Sequence, residues 1–167
     1  MNIAPKFHIT NENPEDYDVV EKLAEEAFGP GRFTRTAFRL REGISHEPEL
    51  SFVTWNDDKA IAAVKLTKIW VGDTVALLLG PLVVADEFKS KGYGAELMKK
   101  AVDAAREADF NCIILVGDLP YYQRFGFGVI PQGQITLPGP VDPHRLLACP
   151  LKEGALHGIS GLVRPYG

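Results

Sequence analysis

The sequence predicts an α+β domain built on a mixed, mostly antiparallel sheet, and three observations carry that class. Three apolar runs, at residues 50–55, 60–71 and 74–84, are separated by two tight turns, Asn56-Asp57-Asp58 and Gly72-Asp73. That is the pattern of an antiparallel meander. An amphipathic stretch over about 92–108 then leads into a short apolar run at 112–116. Strand, helix, strand is a crossover, which sets its two strands parallel. Finally, the chain has 167 residues, 46% hydrophobic and 24% charged, enough to bury one core and within the globular range. No repeat, low-complexity tract or linker interrupts it, so residues 1–167 read as a single domain.

The elements follow in order. Residues 7–10 read as a short strand. Asn13 offers an N-cap, with Pro14 at the first helical position and Glu15 and Asp16 in the first turn. Val19, Val20, Leu23, Ala24 and Ala27 recur at helical spacing, so a helix runs to about residue 28, where Gly29-Pro30-Gly31 stops it. A second helix is expected over 34–41. The run at 74–84 is nearly all apolar, as expected of a strand covered on both faces. In the long helix, Met98, Ala101, Val102, Ala105 and Ala108 form the inner stripe, and Lys99, Lys100, Asp103, Arg106 and Glu107 the wet face. A helical turn over 121–125 and strands near 128–137 and 145–151 complete the chain.

Charge and composition exclude several classes. The formal net charge is −4, which offers no basic footprint for nucleic acid. Cys112 and Cys149 lie in apolar stretches and read as buried thiols of a reduced compartment. Neither has metal-ligand neighbours, so no metal site is expected. Residues 1–10 lack the apolar core of a signal peptide, and the apolar run near 75–85 is too short to span a bilayer. The cytoplasm is the expected location, with no nucleic-acid or membrane partner.

The chemistry concentrates in residues 80–94: Gly-Pro-Leu-Val-Val-Ala-Asp-Glu-Phe-Lys-Ser-Lys-Gly-Tyr-Gly. A strand ends, a loop follows, and a helix begins within a glycine pair. The first turn of a helix carries N–H groups without internal partners and the positive end of its dipole. Gly92 and Gly94 allow close approach to the backbone, and Lys89 and Lys91 add positive charge. Together these features suit phosphate groups. The same glycines also fit a helix start packed tightly on the sheet. The segment lacks the third glycine of a dinucleotide fingerprint, and no P-loop signature occurs. Pro81 cannot donate to a ladder, so its strand must bulge or split there. A split frees the backbone of Leu82, Val83 and Val84 to pair with an extended, amide-bearing ligand; a bulge that only twists the sheet is the alternative.

Leu82-Val83-Val84 followed by Lys89-Ser90-Lys91-Gly92-Tyr93-Gly94 resembles the acetyl-CoA motif of the GNAT N-acetyltransferase superfamily, Gln/Arg-x-x-Gly-x-Gly/Ala after a strand, with lysine at its first position. Residues 117–127, Gly-Asp-Leu-Pro-Tyr-Tyr-Gln-Arg-Phe-Gly-Phe, resemble the end of that family's core. The double tyrosine and Gly80-Pro81 point to the YhbS-like branch. The resemblance covers nearly the whole chain and is specific over about 74–127. It implies an acyl-CoA N-acyltransferase fold of three layers, α/β/α, whose sheet is splayed at the cofactor site. Acetyl-CoA would sit in the splay as acyl donor, its pantetheine against Leu82, Val83 and Val84 and its pyrophosphate on the amides of Lys89, Ser90, Lys91, Gly92, Tyr93 and Gly94.

The implied reaction is acetyl transfer to an amine by direct attack in a ternary complex. Family position makes Tyr122 the proton donor to the leaving thiolate, with Tyr121 as fallback; without the resemblance both tyrosines read as packing aromatics. A backbone N–H near Val84 would hold the oxyanion. The third meander strand carries no Asp, Glu or His; Asp118, close in sequence to the tyrosines, is a candidate base or only caps the short helix, and a water chain or an amine that arrives partly deprotonated would need no base. Phe33, Phe38, Arg39 and Arg41 are candidates for lining the acceptor site or for ordinary packing. The four histidines receive no role. A CoA-binding sensor or scaffold without turnover is the alternative function, and a longer-chain acyltransferase a third. A homodimer is compatible with the family.

Overall fold

The structure is a computed structural model, and it describes residues 7–28 and 47–166. The expected helix over 34–41, with its four candidate acceptor-site residues, lies outside the described residues.

Two left-handed turn residues set the meander. Asp57 (φ 54°) closes the hairpin between β2 (Phe52–Asn56) and β3 (Lys59–Val71), and Gly72 (φ 55°) the one between β3 and β4 (Thr74–Val84). β1 (Phe7–Asn11) pairs antiparallel with β2. A 3₁₀ turn at Pro14–Asp16 leads into α1 (Tyr17–Phe28), where the Asp16 carboxylate accepts the Asn13 N–H at 3.0 Å. After β4 come α2 (Tyr93–Glu107) and β5 (Cys112–Val116), which pairs parallel with β4 as expected. The short α3 (Leu119–Tyr122) precedes β6 (Gly128–Val129), β7 (Ile135–Thr136), β8 (Leu146–Pro150) and β9 (Gly161–Pro165). The sheet runs β1-β2-β3-β4-β5-β8-β6, with β9 against the far end of β3 and β7 against β9.

β3 shows why its run reads as continuously apolar: both faces are covered. Ala62, Val64 and Leu66 face α2, alongside Leu97, Met98, Ala101 and Ala105 of that helix. On the other face, Ala63 packs with Val20 and Leu23 of α1, and Ile69 and Val71 with Ile130, Ile135 and Val163 from the C-terminal strands. Lys65 points to this second face, 5% exposed, between the carboxylates of Glu12 (3.5 Å) and Glu21 (3.2 Å). Burying a lysine is costly, and two carboxylates offset that cost while tying α1 and the residue that follows β1 to β3.

Three local expectations are corrected, and one element is added. Leu50 belongs to a 3₁₀ turn, Pro48–Leu50, because Pro48 supplies a fixed φ that starts a turn instead of a strand. Ala108 is exposed, since α2 ends at Glu107 and leaves Ala108 as its C-cap. The expected strand near 128–137 divides into β6 and β7, because Pro131 and Gly133 (φ 89°) turn the chain between them. The chain also forms β9, absent from the sequence reading. It docks where Gly72 lets Ser160 approach: a Cβ on Gly72 would strike the Ser160 carbonyl.

Cys112 and Cys149 are free and buried. Burial pushes the Cys112 thiol up from 9.0 to about 11. The native chain therefore keeps a proton that the unfolded chain releases, so this stability is full below pH 9 and is lost as pH rises towards 11. The expected loss is about 2–3 kcal/mol over that window. Urea midpoints should fall across it, and Cys112→Val should fall by distinctly less; an equal fall in the variant contradicts the assignment.

Candidate active site

β4 stays paired with β3 to its end, through Val64↔Leu82, Ala63↔Val83 and Ala62↔Val84. Its other edge pairs with β5 only at Leu77↔Ile113 and Leu78↔Ile114. Between those stretches Leu79 faces Leu66 and Leu82 faces Val64, so Gly80 and Pro81 together stand opposite the single Lys65. This is a bulge, with Gly80 at φ 145° and Pro81 contributing no N–H. β5 meanwhile continues beside β8 as far as Val116↔Leu146. Among the described residues no ladder joins Leu82, Val83 and Val84 to β5, so the two strands part as expected. Val83 is buried against α1, and Leu82 and Val84 are half-buried towards α2.

A 3₁₀ turn at Asp86–Phe88 carries the chain from β4 to the loop before α2. Ser90 (φ 63°) and Gly92 (φ 92°) are both left-handed. Glycine accepts that conformation freely; serine does so at a cost of about 1–2 kcal/mol. The first recorded bond of the helix runs from the Glu96 N–H to Gly92 O (3.0 Å). The N–H groups of Tyr93, Gly94 and Ala95 precede it and have no acceptor within the helix. Lys89, Ser90, Lys91 and Gly92 are exposed. Asp86 sits 2.8 Å from the Lys89 ammonium, and Lys91 lies 5.9 Å over the Phe88 ring. Phe7, Phe88 and Tyr93 stack together behind the loop, with centroids 5.1 Å apart for Phe7–Tyr93. Tyr93 thus offers its backbone to the site while its ring anchors the loop to β1.

Gly94 is the point of convergence. It is buried, and a Cβ there would lie 2.9 Å from Tyr121 Oη, 3.5 Å from Val84 Cγ2 and 4.0 Å from Leu82 Cδ2. The parted strand, the helix start and one tyrosine hydroxyl therefore meet around a position kept free of side chain.

Consecutive residues on a helical turn point about 100° apart, so the tyrosine pair divides. Tyr121 reaches Gly94 under the Arg124 guanidinium, which lies 4.5 Å over its ring. Tyr122 lies against Gly117 at the end of β5, where a Cβ would come 3.0 Å from its Cδ2, and packs edge-on to Phe127. Burial, then the neighbouring Tyr121 and Asp118, push the Tyr122 phenol up from 10.0 to about 12, against an opposing pull from Arg145. Asp118 occupies the N-cap of α3 without a side-chain capping bond; its carbonyl accepts the N–H groups of Tyr121 and Tyr122, each at 3.1 Å. Its carboxylate is 77% exposed and lies 3.5 Å from Arg145 Nε.

Leu82, Val84, Gly94 and Tyr121 are brought into direct proximity, with Tyr122 beside them at the end of β5. Lys89 and Lys91 stand at the rim, and Asp118 stands outside in a surface ion pair. Sequence reasoning missed Arg145 as the partner of Asp118 and ranked Tyr121 only as a substitute. The helical angle between adjacent residues was the signal that separates the two tyrosines. Among the described residues there is no group of three His, Cys, Asp or Glu side chains able to hold a metal, and no helix long and apolar enough to cross a membrane.

A sheet whose central parallel pair parts at a bulge, opposite a helix N-terminus, is the acyl-CoA N-acyltransferase architecture. The model of the acetyltransferase (GNAT) family matches residues 17–127, and the chain belongs to that family. It is 26% identical over 125 residues to the uncharacterized N-acetyltransferase YjhQ of Escherichia coli K12, covering 72% of this chain and 68% of that one. It is 27% identical over 94 residues to YhbS of the same organism, covering 56% and 53%, so that match spans about half of YhbS. In three dimensions it resembles Escherichia coli YhbS in complex with CoA (TM-score 0.83, 22% identity, 99% of this chain and 93% of that one). It also resembles a GNAT acetyltransferase from Brucella melitensis in complex with acetyl-CoA (TM-score 0.64, 24% identity, 91% and 99%).

Proposed function

We propose that residues 1–167 form one N-acetyltransferase domain that moves the acetyl group of acetyl-CoA to a primary amine of a small molecule or protein, by direct attack in a ternary complex. The observation that carries this reading is the convergence at Gly94, where the edge of β4 that no ladder joins to β5, the first turn of α2 and the Tyr121 hydroxyl meet. The first two of these have the chemistry of an extended diamide ending in a pyrophosphate: a strand edge to pair with amides, then N–H groups to receive anionic oxygens. The neighbours crystallised with CoA and acetyl-CoA support the same donor.

The residues then divide the work. The backbone of Leu82, Val83 and Val84 aligns the pantetheine arm. The amides from Lys89 to Gly94 take the phosphates, with Lys91 the freer of the two cations because Asp86 holds Lys89. Tyr121 closes over the first turn of α2. The Val84 N–H faces the developing oxyanion. As the amine nitrogen bonds to the acetyl carbon and the C–S bond breaks, Tyr122 Oη gives its proton to the departing sulfur. A phenol held up at about 12 retains that proton across the neutral range. Asp118 has the lesser part, receiving the amine's proton through water, because its carboxylate is exposed and paired with Arg145. Cytoplasmic location agrees with two free buried thiols.

The test is release of free thiol from acetyl-CoA over a panel of primary amines. Amine-dependent release is the expected result. CoA binding without release for any amine would replace this reading with the sensor.

A further inference from the structure

The face of the sheet opposite α2 holds a cavity of about 170 Å³ beside the end of β5. Its apolar walls are Ile130, Pro131, Ile135, Leu137, Val141 and Leu146, and the neutral polar residues Gln132 and Thr136 also line it. Ile130, Ile135, Leu137 and Leu146, each at most 8% exposed, form its floor. The walls are also held apart. Pro131 and Pro143 fix the backbone on two sides. Gln134 Nε2 donates to the carbonyls of Leu156 (2.7 Å) and Ile159 (2.9 Å), the Ile130 N–H to Leu146 O (3.1 Å), and the His144 N–H to the Asp142 carboxylate (2.9 Å). A pocket braced in this way does not collapse cheaply, and an apolar group that displaces its water would gain contact with those walls.

Its position connects it to the candidate active site. Leu146 stands directly opposite Val116 in the β5–β8 ladder, and the Gly117 N–H donates to Arg145 O (2.9 Å). Val116 ends the strand that parts from β4, and Gly117 is the residue on which Tyr122 rests. The cavity therefore lies behind the end of β5, on the other face of the sheet from Tyr122.

We infer that this cavity is a specificity site that takes a compact apolar group, a phenyl or branched alkyl, carried by the acceptor amine. The inference rests on the acetyl-transfer reading and adds the substrate class to it. A cavity of about 150 Å³ lined by aliphatic side chains accommodates a benzene ring, so the size fits one ring and excludes larger systems. The lining offers no charged side chain to an ammonium, so the amine end would stay outside the pocket, and the inference places it at the end of β5, where Val116 stands opposite Leu146.

Phenethylamine and ethylamine are the probes. The wild-type chain should acetylate phenethylamine with a kcat/KM at least about ten-fold above that for ethylamine. Val141 is partly exposed, so Val141→Phe can fill the cavity without repacking the core. It should erase that preference chiefly through KM for phenethylamine, with affinity for CoA within about two-fold of wild type. Phenethylamine should also shift the NMR methyl resonances of Ile130, Ile135 and Leu137 in wild type and leave them in place in Val141→Phe. Acetylation of both amines with equal efficiency, or methyl groups unmoved by phenethylamine, overturns the inference and leaves acetyl transfer standing. Shifted methyl groups without turnover of any amine would retain the apolar site and remove the transferase reading.

Discussion

Tyr122→Phe should lower kcat for acetyl transfer by about 10²–10⁴-fold while affinity for acetyl-CoA stays within about two-fold. The substitution removes one oxygen from a ring seated on Gly117 and against Phe127, so the packing that fixes the ring survives. What disappears is a proton held by a phenol at about 12, poised for a sulfur that would otherwise leave as an unprotonated thiolate. The loss corresponds to about 3–5 kcal/mol of barrier. Tyr121→Phe should act differently. Its hydroxyl meets the first turn of α2, so its removal should raise KM for acetyl-CoA more than it lowers kcat. Asp118→Asn should cost at most about ten-fold in kcat, since that carboxylate is exposed and paired. Stopped-flow single turnovers separate these effects. A larger loss for Tyr121→Phe than for Tyr122→Phe in the chemical step would exchange the two roles.

Gly94→Ala should weaken CoA binding by about 10–100-fold without destabilising the fold. The added methyl would stand 2.9 Å from Tyr121 Oη and 3.5 Å from Val84 Cγ2, in the space where the helix start meets the strand edge. The tyrosine end can swing aside, so the chain itself tolerates the change. Alanine is also the better helix former, by about 1 kcal/mol. Thermal unfolding should therefore show an unchanged or higher midpoint while calorimetry shows the lost affinity. An unimpaired CoA affinity would mean that the anion does not approach the backbone at this glycine.

The fold was legible wherever local chemistry and tertiary context agree. The meander follows from Asp57 and Gly72, each at a turn, and the parallel crossover from the run of α2 into Cys112. An irregularity of β4 at Pro81 was readable because proline lacks an N–H, a fact independent of surroundings, whereas the parting of β4 from β5 came from the family resemblance. Failures came where the context decides. Leu50 has a strand-like side chain, but Pro48 gives it a turn backbone. Residues 128–137 are apolar enough for one strand and divide because Pro131 and Gly133 redirect the chain. β9 is short and polar in part, and becomes a strand only because β3 extends past β2 and Gly72 leaves room for it. At the site, residue types were legible and their directions were not. Tyr121 and Tyr122 look equivalent in sequence and serve different walls, and Asp118 is taken up by Arg145, which lies on the far side of two intervening strands.

The central claim is that the unpaired edge of β4 and the first turn of α2 together hold CoA. Backbone NMR during titration with CoA tests it most directly. The account predicts saturable shifts at the amides of Val83, Val84, Tyr93, Gly94 and Ala95, with β1 and β9 unaffected. Saturable binding that leaves those five amides unmoved and shifts residues elsewhere would contradict it.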